Sequence, residues 1–335
     1  MTTKEQIPPA GDAFSVRPVA AKDLDRIVTI DAGHMGASRR GYFEKRLRTD
    51  HRYADEAISL ALEAGGRSVG FALVRLEDGE FGRPGSVAVL DAIGVDGVAR
   101  GQGGGRRLLQ AVVDALADKG VADLVTQVDW RQRALLEFLG AAGFGLDGRV
   151  VLARPAAELA PEDEPEMPAD PPTEIDYSSP SSDDFTALAR DRIPVRSLIE
   201  ADLAGITAID RRHSGQDRSA YYARKLDEVL NRSGVRLSLM AEIDGMPAGF
   251  VMARVDYGEF GQTADEAVME AIGVDPAFAG HGVGRALMSQ LMANLTVLRA
   301  DTVRSETDWN DTALIGFLNA MEFAPAQRIS LRRPI

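Results

Sequence analysis

The chain has 335 residues, 45% of them hydrophobic and 27% charged, and it holds no cysteine. That length suits two domains of about 150 residues, the composition excludes wholesale disorder, and the missing thiols exclude disulfides, Fe–S clusters and a cysteine nucleophile. The net charge is -13, with no basic surplus for nucleic acid or an anionic membrane, and no apolar run approaches the ~20 residues that span a bilayer.

Residues 1–13 are polar, carry Pro8-Pro9 and lack the apolar core of a signal peptide, which predicts a flexible N-terminus and a cytoplasmic protein. The segment 156–191 holds eleven acidic residues against one basic residue, Arg190, together with Pro161, Pro165, Pro168, Pro171, Pro172 and Pro180. It reads as a solvated linker between two nearly charge-balanced bodies, 14–155 and 192–335. The four histidines (His34, His51, His213, His281) are scattered, so no metal site is expected.

The two bodies are copies. A shift of 179 residues, without gaps, lays Val16-Arg17 on Val195-Arg196, Ile30-Asp31 on Ile209-Asp210 and His34 on His213. It also lays Arg39 and Tyr42 on Arg218 and Tyr221, Gly79-Glu80-Phe81-Gly82 on Gly258-Glu259-Phe260-Gly261, and Asp129-Trp130 on Asp308-Trp309. Repeats of this length mean two domains of one fold rather than a solenoid.

In chain order each copy begins with a short strand, 14–19 or 193–198. Helical stretches follow, with apolar residues at Leu24, Ile27 and Ile30 or at Leu203, Ile206 and Ile209. Two strands then meet at Gly65-Gly66 or Asp244-Gly245, both strong hairpin dipeptides. Gly-Glu-Phe-Gly predicts a turn with its phenylalanine as an anchor. A fourth strand, 86–95 or 267–274, ends in glycines and a helix from about Gly105 or Gly284. A fifth strand, 124–128 or 302–307, precedes a helix beginning at Trp130 or Trp309, which are expected to cover a core edge. A last strand closes each domain. For His34, Arg39, Tyr42 and their counterparts two readings stand: a substrate wall or a helix-packing cluster.

The glycine loops read Val95-Asp96-Gly97-Val98-Ala99-Arg100-Gly101-Gln102-Gly103-Gly104-Gly105-Arg106 and Val274-Asp275-Pro276-Ala277-Phe278-Ala279-Gly280-His281-Gly282-Val283-Gly284-Arg285. Strand, glycines, then helix is an arrangement that turns backbone N–H groups onto an anion. A Walker loop needs Gly-Lys-Ser/Thr, which is absent. A dinucleotide fingerprint needs the first strand of the domain and a glycine where Arg106 and Arg285 stand. Arg100, Gly103 and Gly105 instead form an Arg-x-x-Gly-x-Gly pattern. It resembles the acyl-CoA pyrophosphate loop of the GNAT superfamily of N-acetyltransferases, and the resemblance extends over both copies outside the linker.

The resemblance implies a mixed α/β fold, present twice, each copy a mixed central sheet flanked by helices. It implies acetyl-CoA as co-substrate and a primary amine as acceptor, on a small molecule or on a protein lysine or N-terminus. Val95 or Val274 would bond the pantetheine arm through the main chain. Arg100, Gly101, Gly103, Gly105 and Arg106, or Gly280, Gly282, Gly284 and Arg285, would hold the diphosphate. Glu306 and Glu266 match base positions used in two branches of the family, and Glu270 shares the strand of Glu266. Copy one has Gln127, Val87 and Asp91 at these places, which points to copy two as catalytic and copy one as the better diphosphate binder. Copy two has Ala279 in place of Arg100. The family's acid tyrosine is replaced by Leu139 and Leu318, leaving water, Tyr221, Tyr222 or Tyr257 to protonate the leaving thiolate. An alternative is an acyl-CoA-binding regulatory or scaffold protein with one or both catalytic sites lost. The duplication fits a monomer with an intramolecular pseudo-dimer, or a homodimer.

Overall fold

The computed structural model describes residues 14–83, 85–157, 159, 193–232, 235–256, 258–263 and 266–335. The N-terminal 1–13, most of the acidic segment 156–191 and Tyr257 lie outside them.

Copy one runs β1 (Ser15–Pro18), α1 (Leu24–Met35), α2 (Arg40–Arg52), β2 (Ala57–Ala64), β3 (Arg67–Asp78), β4 (Ser86–Val95), α3 (Gly104–Asp118), β5 (Asp123–Asp129), α4 (Arg133–Ala141), β6 (Gly145–Leu146) and β7 (Arg149–Pro155). Copy two repeats it as β8 (Val195–Ser197), α5 (Leu203–Ser214), α6 (Ser219–Asp227), β9 (Leu239–Ile243), β10 (Met246–Asp256), β11 (Glu266–Val274), α7 (Val283–Leu298), β12 (Thr302–Asp308), α8 (Thr312–Ala320), β13 (Ala324–Pro325) and β14 (Arg328–Pro334). The hairpins turn where the sequence predicts, with positive φ at Gly65 and Gly66 and at Asp244 and Gly245. That pair of angles matches the right-handed twist of the flanking strands.

Each sheet is buried on both faces. In copy one, β2–β5 pack Leu62, Ala72, Leu90 and Leu124 against Leu108, Val112 and Leu116 of α3. The opposite face packs Phe71 and Leu73 against Ile27, Ile30 and Phe43 of α1 and α2. Copy two repeats this with α7 on one face and α5 and α6 on the other.

The closing strand departs from expectation. The sheet orders are β1-β2-β3-β4-β5-β14-β6 and β13-β7-β12-β11-β10-β9-β8. Each copy's last strand therefore closes the sheet of the other copy. Strand β14 pairs antiparallel with β5 from Arg328↔Asp129 to Pro334↔Asp123, and β7 pairs with β12 from Arg149↔Asp308 to Pro155↔Thr302. The exchanged side chains are part of the foreign core: Leu331 joins Leu124 and Val128, and Val150 and Leu152 join Val303 and Leu318. Burying such a side chain is worth roughly 1.5–3 kcal/mol, so neither sheet is complete without the far half of the chain.

One consequence is measurable. Leu331→Ala should cost about 2–4 kcal/mol in denaturant unfolding. Hydrogen exchange should accelerate at the β5 amides of copy one, although the substitution lies in copy two. Faster exchange confined to copy two would contradict the strand assignment.

Candidate active site

In each copy the two parallel central strands part company. β4 and β5 pair only at Ala88↔Leu124 and Val89↔Val125, and β11 and β12 only from Glu266↔Thr302 to Val268↔Arg304. At the fork a hydroxyl replaces the ladder: Thr126 Oγ1 donates to Leu90 O at 2.8 Å, and Ser305 Oγ to Met269 O at 2.9 Å. Beyond it the strands diverge and a slot opens.

A β-bulge lies on the slot's other wall. Pairing with β3 jumps from Leu90 to Ala92, and pairing with β10 jumps from Met269 to Ala271. The extra residues are Asp91 and Glu270. A bulge bends its strand and redirects a side chain. The slot's main-chain lining follows from register. Asp96 N donates to Val69 O, and Asp275 N to Ala248 O, both at 2.8 Å. These bonds make Val95 opposite Gly70, and Val274 opposite Gly249, non-hydrogen-bonded pairs. The N–H and C=O of both valines therefore point away from the hairpin and into the slot.

Each slot leads to a glycine turn that starts a helix. Gly101 and Gly103 have φ of 74° and 83°, Gly280 and Gly282 76° and 82°, left-handed angles that favour glycine. Gly103 and Gly282 are the N-caps of α3 and α7, whose first-turn N–H groups have no carbonyl four residues earlier to bond. Open space surrounds Gly101, Gly103 and Gly280, as an anion cradle requires. Gly105 and Gly284 also meet a packing demand. A Cβ there would stand 3.2 Å from the Phe138 ring and 2.8 Å from that of Phe317, so these glycines admit the following helix. Arg100 and Arg106 are exposed, and Arg285 is half-buried.

The histidines belong to the slot rather than to helix packing. His34 Nε2 donates to Val95 O at 3.0 Å, and His213 Nε2 to Val274 O at 2.5 Å. That assignment leaves His34 Nδ1 to accept from Arg100 Nη2 at 3.1 Å. Arg39 and Arg218 go elsewhere. They pair with Asp31 and Asp210 and donate to Gly258 O and Gly79 O of the opposite copy. Tyr42 and Tyr221 are buried under them.

Those carbonyls belong to the Gly-Glu-Phe-Gly turns, which lock the copies together. Each turn crosses the seam, and Phe260 packs against Val87, Val89 and Val125 of copy one. Glu306 lies in this seam as well. Its Oε1 accepts from Arg149 Nε at 2.8 Å and from Arg83, and its Oε2 from Gln127 Nε2 at 2.7 Å. It borders a void of only about 20 Å³. Glu266 accepts from Arg304 Nε at 2.8 Å and from Arg328 Nη2 at 3.0 Å. Both carboxylates are thus ion-paired across the exchanged strands. Glu270 is bonded by Arg254 Nε at 2.6 Å and Lys225 Nζ at 3.2 Å. It lines a cavity of about 760 Å³ between the copies, bordered also by Lys45, Arg46, Arg48, Arg52 and Glu228.

The bulge carboxylates are among the buried acids whose proton affinity is raised. Burial pushes the Asp91 carboxyl up to about 6 against the pull of Arg75 and Arg46, and it raises that of Glu270 against Lys225 and Arg254. Asp91 was legible only as the counterpart of Glu270, because its burial depends on the seam. Leu139 and Leu318 are core residues, 1% and 0% exposed. Tyr222 donates to Asp210, and burial raises the Tyr221 hydroxyl well above its ordinary value. Trp130 and Trp309 precede their helices and are each 57% exposed, so they do not cover a core edge.

Each copy thus carries a forked parallel pair that leads to a glycine-capped helix. The family model described as the acetyltransferase (GNAT) family matches residues 27–144 and 203–323. That is more than half the chain, and the protein belongs to this family. No curated protein matches the sequence. Among solved structures, a GCN5-related N-acetyltransferase from Sphaerobacter thermophilus aligns with a TM-score of 0.60 and 15% identity, over 97% of this chain and 96% of that one. A tandem GNAT protein from the clavulanic acid biosynthesis pathway aligns at 0.61 and 16%, over 96% and 98%. A GCN5-related glucosamine N-acetyltransferase region of a fungal multi-domain β-N-acetylglucosaminidase aligns at 0.63 and 14%, over 98% of this chain but only 39% of that chain. At these identities the likeness is one of fold.

The raised Asp91 carboxyl has a stability signature. A folded-state value above the unfolded ~3.9 means the native protein binds the extra proton between pH ~4 and about 6. Native stability attributable to this group is thus greatest in acid and falls as pH rises through that window. Melting curves should show wild type losing stability relative to Asp91→Asn from pH 4 to pH 6.5. Parallel curves would place Asp91 outside the low-dielectric seam.

Proposed function

We propose that the protein is an N-acetyltransferase that uses acetyl-CoA to acetylate a primary amine, on a small molecule or on a protein. The observation that carries this reading is the slot. Two main-chain edges, at Val95 and Val274, are turned away from their hairpins toward a gap that runs to a glycine-capped helix start. Such an edge suits an amide-bearing pantetheine arm as an added strand, and the helix start suits a diphosphate.

In the reaction the amine nitrogen forms a C–N bond to the thioester carbon. The C–S bond breaks, the amine proton goes to a base, and the thiolate leaves to take a proton from water. The chain's contribution is a main-chain N–H at the bulge to hold the carbonyl oxygen and a carboxylate to take the proton. Of the three candidates Glu266, Glu270 and Glu306, we favour Glu270, because it is the bulge residue and borders the large cavity. Asp91 is its counterpart in copy one. For cofactor contacts the reading keeps Arg100, Gly101, Gly103 and Arg106 in copy one, and Gly280, Gly282 and Arg285 in copy two. Gly105 and Gly284 support the loop by packing. Solubility in the cytoplasm and a monomeric state complete the reading, with the pseudo-dimer formed inside one chain.

The second reading, an acyl-CoA-binding module without turnover, is favoured by Leu139 and Leu318 lying in the core and by Ala279 at the place of Arg100. Two measurements separate them. Calorimetry should give two acetyl-CoA sites per chain, reduced to one by Gly103→Glu or by Gly282→Glu. Thiol release with an amine panel should show turnover that Glu270→Gln lowers about 10²–10⁴-fold with binding intact. Binding without turnover on any amine would select the module, and no heat at millimolar ligand would remove both.

A further inference from the structure

The two bulge carboxylates lie in different copies, yet a single buried acid touches the arginines that hold both. Asp91 Oδ2 is 2.8 Å from Arg75 Nε. Arg75 Nη1 is 3.2 Å from Glu259 Oε1. The same oxygen is 2.7 Å from Arg254 Nη1, and Arg254 Nε is 2.6 Å from Glu270 Oε1. Asp91, Glu259 and Glu270 are 2%, 7% and 5% exposed, while the linking Arg75 and Arg254 are partly buried and border the large cavity. The chain of contacts starts in copy one, crosses the seam on the Gly-Glu-Phe-Gly turn of copy two, and ends at that copy's own bulge.

We infer that Glu259 joins the two bulge carboxylates into one electrostatic unit, so that the charge on either sets the charge on the other and the two clefts do not act independently. The functional half of this inference rests on the reading of Asp91 and Glu270 as proton acceptors, whereas the coupling itself does not.

The surroundings fix its sign. Asp91 is faced by Arg46 and Tyr42 from α2, by Arg75 from β3, and across the seam by Glu259 and Arg254. Glu270 is faced by Lys225, Tyr221 and Glu228 from α6 and the turn after it, by Arg254 from β10, and by Glu80 from the turn of copy one. Each carboxylate thus faces one cation from the second helix of its copy, Arg46 (also held by Asp50) or Lys225 (also held by Glu80 and Glu228), and one arginine shared with Glu259. The arginines around Glu259 keep its carboxyl well below the usual range, so it stays charged while its neighbours titrate. It competes with Asp91 for Arg75 and with Glu270 for Arg254. In a low-dielectric seam such competition is felt strongly. The related turn residue Glu80 engages Lys225 and is hydrogen-bonded to Glu77, which lies 2.7 Å from Arg75 Nη1, so a longer route also runs from Arg75 through Glu77 and Glu80 to Lys225, while Glu259 bridges Arg75 and Arg254 directly.

The test is a carboxyl-carbon NMR titration of the full chain carrying ¹³C-labelled aspartate and glutamate side chains. Asp91→Asn and Glu270→Gln assign the two resonances. Asp91→Asn removes one buried negative charge and leaves Arg75 to Glu77 and Glu259, which frees Arg254 for Glu270, so the Glu270 midpoint should fall by about half a pH unit. Glu259→Gln should lower both midpoints, and in that background Asp91→Asn should move Glu270 clearly less, because only the longer route through Glu77 and Glu80 remains, the signature of a coupled cycle. Should Glu259→Gln not fold, Arg75→Lys serves in its place, because one ammonium cannot span Asp91 and Glu259 as a guanidinium does. An unchanged Glu270 midpoint in Asp91→Asn overturns the inference, as does an effect that persists in full once the bridge is broken. Since the titration needs no turnover, a chain that couples but transfers no acetyl group removes only the catalytic reading. One that transfers without coupling removes only this inference.

Discussion

The exchange of the closing strands is the constraint from which the rest of the structure follows. A seven-residue antiparallel ladder ties β7 to β12, and another ties β14 to β5. Each ladder inserts apolar residues of one copy into the core of the other. The two sheets are therefore set against one another by backbone hydrogen bonds. Because the copies cannot separate without opening both sheets, the surface between them is a permanent interior. It behaves as a core and obeys the rules for buried charge.

Those rules explain the seam's content. Arg304 is 1% exposed and is held by Asp256, Glu259 and Glu266. Glu306 has both oxygens occupied. Taking such groups out of water costs several kcal/mol each, and only near-complete pairing offsets it. A catalytic base has the opposite need, since it must be short of partners in one protonation state and open to a substrate. Glu306 and Glu266 meet the first description. Glu270 and Asp91, lifted by burial and set on bulges beside the forks, come closer to the second.

Much of this was legible from the chain alone, for definite reasons. The 179-residue offset, the hairpin dipeptides and the strand-glycine-helix order are local patterns, and local patterns survive in one dimension. Strand β4 runs over the residues its apolar run predicts, and the hairpins turn at the dipeptides named for them. The exchange was not legible. β7 offers Val150 and Leu152 where β14 offers Ile329 and Leu331, so either strand would suit either sheet by pattern. The roles of Glu306 and Arg39 were hidden for the same reason. Their partners, Arg83 and Gly258, lie 223 and 219 residues away, and no periodicity joins them. Trp130 and Trp309 misled through a prior that large aromatics cover cores, but here they follow strand ends fixed by the foreign strand's neighbouring turns, through bonds to Gln327 O and Gly148 O.

The seam also shows how two copies of one backbone keep their geometry while their chemistry differs. At the bulge, copy one pairs a short acid with a long planar cation, Asp91 with Arg46, at 3.3 Å. Copy two pairs a longer acid with a compact one, Glu270 with Lys225, at 3.2 Å. The combined reach is conserved although neither residue is. A guanidinium has donors to spare, and Arg46 uses another on Asp50. An ammonium is a rotating point charge, and Lys225 spends its charge on Glu80 and Glu228 besides Glu270. The copies therefore place a carboxylate at the same point in the fold under different electrostatic control. A length-compensated exchange of this kind lets proton affinity diverge between two clefts without moving the strands that shape them.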